Sequence, residues 1–330
     1  MTRRSPRRPS VLPSAAAVLA LGMTLTGCMT VHGERENIPS VDKAEAAETL
    51  KDFTATYNKA YRELDPSVAS EVETGPLEAI SRADLKAQHA NSPQGNPNYP
   101  PLKLSDATFH IPRQIGWPKF FVADTDSNRD SNRWLVVFTR QGADDPWKAA
   151  YLSILSQDEV PAFAADKDGW AKPVKAAGPA PRLAVRPDKL SRDYADYLMT
   201  GKGDTFADGS ATTGIRDSRD KFKKTPKFWT QYIDTAAAAG SAEAPVGLRT
   251  EDGGAVVFFT SHHRQKQTMA KGFRPNPDPQ VKALMTGEAK RAVTLTRVAE
   301  SAVRVPAKDA ADPKVTFLNR LEGVTGAKGE

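Results

Sequence analysis

The chain holds one cysteine in 330 residues, Cys28. A single thiol cannot close a disulfide within the chain and cannot build a zinc–thiolate cluster. Whatever folds here must therefore be held by apolar cores. The composition allows it: 39% of the residues are hydrophobic and 26% charged, the balance of a globular chain rather than a disordered one. The length suits about two domains of roughly 150 residues each.

Cys28 closes an unusual N-terminal segment. Arg3, Arg4, Arg7 and Arg8 precede an apolar run over residues 11–26, VLPSAAAVLALGMTLT. That run is too short to span about 30 Å of hydrocarbon as a helix, which takes roughly 20 residues, and Pro13 interrupts it. A positive start followed by a short apolar stretch is the arrangement of a secretory signal peptide. Arg8 is followed by Pro9-Ser10-Val11, which fits general secretion better than a twin-arginine route. Four of the 46 basic residues and none of the 40 acidic ones lie in residues 1–27. The net charge of +6 thus belongs largely to this segment, and the rest of the chain is nearly neutral.

The segment ends in Leu25-Thr26-Gly27-Cys28, which resembles the lipobox of bacterial lipoproteins. The resemblance implies signal-peptidase recognition through Leu25, Thr26 and Gly27, cleavage before Cys28, and a diacylglyceryl group with acyl chains such as palmitate on the Cys28 sulfur. Two acyl chains, at about 0.8 kcal/mol per buried CH2, hold a protein stably at a membrane where one does not. The expected location is the cell membrane, lipid-anchored, on its extracytoplasmic face. Lipid on the one thiol leaves none for redox chemistry or nucleophilic catalysis.

The expected organisation is a signal peptide over 1–27, a lipidated N-terminus and tether over 28–43, a first α+β domain over 44–175, a Pro/Ala-rich linker over 176–187, a second α+β domain over 188–326 and a tail over 327–330. Leu50, Phe53, Tyr57, Ala60, Tyr61 and Leu64 recur at helical spacing, and residues 76–90 suggest a second helix. The loop NSPQGNPNYPP (91–101) follows. Beyond it Leu102–Pro112, Lys119–Ala123, Trp134–Arg140 and Trp147–Leu155 read as strands. Helical spacing returns at Leu190, Tyr194, Tyr197 and Leu198, and residues 215–235 form a basic amphipathic stretch. Strand candidates then recur at Val246–Thr250, Ala255–Ser261, Ala292–Thr296, Ala302–Pro306 and Lys314–Leu318.

Each half thus predicts helices followed by a curved antiparallel sheet, an α+β class, with Trp134–Phe138 and Ala255–Phe259 as corresponding apolar strands of a structural duplication. This element order resembles tandem cystatin-like or nuclear-transport-factor-like cones. The layout and the strings FHIPR, DGW and EDGGAVVFF also resemble uncharacterised actinobacterial lipoproteins, a resemblance that implies no activity.

No constellation of catalytic or metal-binding residues reaches its required pattern. Asp124-Thr125-Asp126-Ser127-Asn128 starts like a calcium loop, but Arg129 stands where Gly is needed and Leu135 where a bidentate Glu is needed; a solvated turn is expected instead. His262 and His263 would face opposite sides of a strand and could not share a metal ion. No G-x-S-x-G occurs, and Gly201 and Gly203 lack the third glycine of a dinucleotide loop. The densest basic cluster, Arg216, Arg219, Lys221, Lys223, Lys224 and Lys227, is read as a solvated helix face that packs Phe222, Phe228 and Trp229 inward; the alternative is a patch that attracts anionic lipid headgroups or wall polymers.

The expectation is a non-catalytic binding or scaffolding protein of the cell envelope. No catalytic residue, metal or cofactor is assigned; the covalent lipid is the only added group. Its partners would be the membrane, through the anchor, and an envelope protein or wall polymer, but no nucleic acid. Two alternatives stand beside it. One is a carboxylate-dependent cell-wall hydrolase, marked by two carboxyls about 5–9.5 Å apart in one cleft. The other is a solute-binding lipoprotein of a transporter.

Overall fold

The computed structural model describes residues 36–175 and 182–330. Leu25, Thr26, Gly27 and Cys28, and positions 176–181 of the linker, lie outside the described residues.

Just before the first helix, β1 (Ile38–Pro39) pairs antiparallel with β3 (Arg113–Gln114), and Val41 is buried. Helix α1 (Lys43–Glu63) starts where the Asp42 carboxylate accepts the Glu45 N–H at 2.8 Å, a side-chain N-cap. It buries Ala46, Leu50, Phe53 and Ala60, and ends at Leu64 in the left-handed region (φ 54°). Asp65-Pro66 opens α2 (Pro66–Val72), and α3 (Gly75–Asn91) follows. Strands β2 (Leu104–His110), β4 (Lys119–Ser127), β5 (Arg133–Arg140) and β6 (Lys148–Leu155) then form an antiparallel meander in that order.

The second half repeats the order of element types. Helices α4 (Pro187–Thr200) and α5 (Thr213–Lys223) precede β7 (Phe228–Ala236), β8 (Val246–Arg249), β9 (Ala255–Met269), α6 (Pro279–Leu284), β10 (Met285–Thr286), β11 (Ala292–Val305) and β12 (Thr316–Gly329). The sheet runs β10-β12-β11-β9-β7, with β8 also on β9. Among these strands only β10 and β12 pair in parallel.

Strand alternation makes four layers. On β4 and β5, Phe121, Ala123, Val136 and Phe138 pack against Leu50 and Phe53 of α1. The alternate residues Phe120, Val122, Leu135 and Val137 meet Leu248, Val256, Phe258 and Ala302 of the second sheet. Across that sheet, Val257, Phe259 and Val303 pack on Leu190, Tyr194 and Leu198 of α4. The two sheets are thus pressed face to face, each with helices on its outer side, and the apolar seam between them joins the halves.

The α+β class stands, with several local corrections. Residues 215–235 are not one helical stretch: α5 stops at Lys223, and Phe228–Ala236 is an edge strand. Ala292–Thr296 and Ala302–Pro306 are parts of one strand, β11, continuous through Arg297–Ser301. Trp134–Phe138 lies in β5 of the four-stranded sheet and Ala255–Phe259 in β9 of the six-stranded one. The calcium-like string is no solvated turn at its start. Asp124 and Asp126 lie within β4, and Arg133 donates to them at 2.7 and 2.8 Å.

Candidate functional site

Strands β9, β11 and β12 are fourteen or fifteen residues long and outrun α4. Where α4 ends, α5 roofs the same sheet face, and a cavity of about 450 Å³ lies between them. Gly201 makes this possible. It ends α4 at φ 69°, and a Cβ there would strike the Arg216 guanidinium. Arg216 donates instead to the Tyr197 carbonyl at 3.0 Å, so the first basic residue of α5 serves as a cap for α4.

The next one, Arg219, enters the wall of the cavity. Its two terminal nitrogens donate to the two oxygens of Asp234 at 2.5 and 2.9 Å, and its guanidinium lies 4.7 Å from the Tyr232 ring centroid. The Asp234 side chain is wholly buried. Its other partner is His263, opposite it in the β7–β9 register, with Nδ1 2.6 Å from Oδ1. Burial opposes ionisation of Asp234, but the hydrogen bonds from His263 and Arg219 and the guanidinium charge outweigh it, and its pKa is lowered.

The tautomer of His263 follows from its neighbours. Arg320 approaches Nε2 at 3.0 Å and has no acceptor to offer, so Nε2 carries a lone pair and Nδ1 the proton. Burial first, with Arg320 adding to it against the pull of Asp234, holds the His263 pKa below its ordinary value. Ser261 Oγ also lies 2.9 Å from Nε2.

Asp234, His263 and Ser261 therefore repeat the order of a nucleophilic triad, but the chemistry is blocked twice. Ser261 is 0% exposed, so no substrate carbonyl reaches its oxygen. The lone pair that would take the serine proton is already engaged by Arg320. The chain of bonds fixes Arg219 and Arg320 in place rather than activating a hydroxyl.

Two more charged strands complete the wall. Arg320 donates to Glu322 at 2.5 Å, and Arg297 reaches Glu322 at 3.2 Å and Gln265 at 2.8 Å. The Arg320 Nε is buried with no hydrogen-bond partner among the described residues. The side chains of Arg219, Arg297 and Arg320 line it against one carboxylate, Glu322, while Arg264, next to His263 on β9, turns to the other face of the sheet with Lys266. Glu322 and, behind the lining, Asp234 are both paired with arginine.

The aromatic residues of the basic cluster do not pack inward as the sequence suggested. Phe222 and Trp229 are 48% and 42% exposed, and Phe222 and Phe228 line the cavity. His262 faces away from His263 and meets Glu243 at 2.8 Å. Among the described residues no group of three or more His, Cys, Asp or Glu is placed to hold a metal ion, and no helix is long and apolar enough to cross a membrane. A larger hollow, about 730 Å³, opens on the other face of the sheet, where Lys266 and Glu330 neutralise each other at 2.5 Å.

Sequence reasoning reached Arg219 and the two histidines but not the site. Asp234, Arg297 and Arg320 lie on three different strands and meet only through strand register. The one local signal was Ser261 and His263, two apart on a strand and so on one face.

Comparison with known proteins gives the family but no activity. The family model described as a domain of unknown function, DUF8094, matches residues 37–329. An uncharacterized lipoprotein of Streptomyces avermitilis is 50% identical over 96% of this chain and 95% of its own length. One of Streptomyces coelicolor is 47% identical over 99% of both, and a second from that organism is 26% identical over 92% of this chain and 91% of its own. No solved structure matches the chain, so the resemblance to cystatin-like or nuclear-transport-factor-like cones remains one of element order. With its family model covering nearly all of the described residues and its relatives matching end to end, the chain belongs to the DUF8094 family of lipoproteins.

Proposed function

We propose that this lipoprotein is anchored through Cys28 at the extracytoplasmic face of the cell membrane and that its folded part binds an envelope component without chemically changing it. The observation that carries the reading is the state of the cleft under α5: its arginines are held in place, its carboxylates are paired, and its serine is sealed beneath the sheet surface. Such a site can hold a ligand but presents no group to attack one. A cell-wall hydrolase would need two carboxyls facing an open cleft, one of them able to give up a proton. The two carboxyls with strongly raised pKa values, Glu73 and Glu300, are instead buried at 0% and 2% exposure. A transporter's solute receptor of alternating strands and helices is not favoured by two antiparallel meanders.

The test uses the full chain, extracted from membranes in detergent and mixed with purified wall fragments. Co-sedimentation with no release of reducing ends or soluble fragments is expected. Turnover that disappears in Asp234→Asn or Ser261→Ala would overturn the reading.

A further inference from the structure

The cleft shows not only that something can bind but what charge it should bear. Three guanidiniums line it, those of Arg219, Arg297 and Arg320, and Glu322 within the lining and Asp234 behind it supply two negative charges. One positive charge is in excess, and two are once a ligand displaces Glu322 from Arg297 and Arg320. A phosphate monoester carries about −1.5 to −2 at neutral pH. A carboxylate would leave about half of the excess unmatched.

Direction points the same way. Arg219 comes from the helix above, Arg297 from β11 and Arg320 from β12. Donors arriving from several sides suit a tetrahedral anion, whereas a carboxylate is served by one planar fork.

A bare phosphate would not fill about 450 Å³. The remaining wall combines Phe222, Phe228 and Tyr232 with the amides of Gln265 and Gln267. That surface accepts a small organic group carrying hydroxyls.

We propose that the cleft between α5 and the second sheet is a binding site for a phosphate ester of a small polar organic group. The proposal rests on the binding role given above and assigns its chemistry. Glu322 acts in it as an internal stand-in, a carboxylate that occupies Arg297 and Arg320 until the ligand arrives.

The stand-in gives a test that mere damage to the fold would not mimic. The full chain in detergent micelles is titrated calorimetrically with glycerol 3-phosphate, inorganic phosphate and glycerol, and with short-chain phosphatidylglycerol in competition. Glycerol 3-phosphate should bind and glycerol should not. Arg297→Gln should weaken binding by about tenfold or more. Glu322→Gln should tighten it several-fold, because the competitor is gone and both guanidiniums are released.

Displacement of glycerol 3-phosphate by the short-chain lipid at lower concentration would assign the phosphate to a lipid headgroup. The reverse order would assign it to a soluble ester. Equal binding of glycerol, or an unchanged affinity in both variants, overturns the proposal. Wall fragments that still co-sediment while no phosphate ester binds would defeat the phosphate assignment and leave the binding role standing. If neither binds, both fall.

Discussion

Glu73 offers a sharp test of how the two halves are joined. It caps α2 and pairs with Ala149 of β6; it is 0% exposed, and neither carboxyl oxygen finds a hydrogen-bond partner among the described residues. Burial pushes its pKa to about 8, with Glu78 adding to the rise and Ser81 opposing it. Glu300, on β11 of the other sheet, is also fully enclosed and raised well above its ordinary value, chiefly by burial and further by Glu73. The Leu152 N–H, at 3.3 Å, is the one hydrogen bond to its carboxyl among the described residues. The folded protein thus keeps two protonated acids near the seam, while the unfolded chain ionises them from about pH 4.5 upward. Between those limits the native state holds more protons than the unfolded one, so stability is full below about pH 4.5 and falls as pH rises toward 8. At about 1.4 kcal/mol per pH unit, Glu73 alone costs about 3 kcal/mol by pH 7 and about 4 kcal/mol by pH 8, where the folded group itself begins to ionise. Glu73→Gln keeps the shape and removes the titration. Thermal unfolding of wild type and variant, followed by near-ultraviolet circular dichroism from pH 4.5 to 8, should give similar Tm values at the acid end. A widening advantage for the variant should follow at the alkaline end. A variant destabilised by the same amount at every pH would show that Glu73 is ionised in the fold and that this reasoning is wrong.

Other perturbations address the remaining links. Phe258→Ala removes a fully buried ring from the seam and should cost about 3–5 kcal/mol, with probes in both halves losing structure together; separate transitions would mean that the halves fold independently. Asp234→Asn leaves Arg219 buried beside a neutral amide and should cost about 3–5 kcal/mol, whereas Ser261→Ala should cost about 1 kcal/mol and leave ligand binding unchanged; denaturant titration and calorimetry read both. His263 resists protonation in the fold, so wild-type stability should also drop as pH falls below about 6.5, a dip that His263→Gln abolishes in the same melts. Cys28→Ala should move the chain out of the detergent-extracted membrane fraction; retention there would exclude acylation as the anchor.

What the sequence disclosed depends on what each residue faces. Trp134–Phe138 and Ala255–Phe259 read as strands because both of their faces meet apolar layers, so the local string suffices. Arg264–Met269, the far half of β9, is polar because its face opens to the cleft rather than to α4, and alternation with no apolar partner gives no signal. β11 looked like two strands because Arg297 and Glu300 interrupt it. The fold accommodates them by pairing Arg297 with Glu322 across β12 and by burying Glu300 as the neutral acid. The basic cluster was visible, but its role was not. Asp217 and Asp220 lie within it, and only the packing of α5 on β7 shows that Arg219 answers to Asp234 and not to either of them. The lipobox was legible at once because its motif is contiguous and needs no fold.

The central claim is that the α5 cleft is where this lipoprotein meets the envelope. The most direct measurement is site-specific photocrosslinking in living cells, with a photoreactive phenylalanine analogue replacing either Phe222 at the cleft or Ile115, a 66% exposed residue of the first half. A discrete adduct from position 222 that is absent from position 115, and lost when Arg297→Gln is added, is the predicted result. Equal adducts from both positions, or an adduct from position 115 alone, would contradict the account.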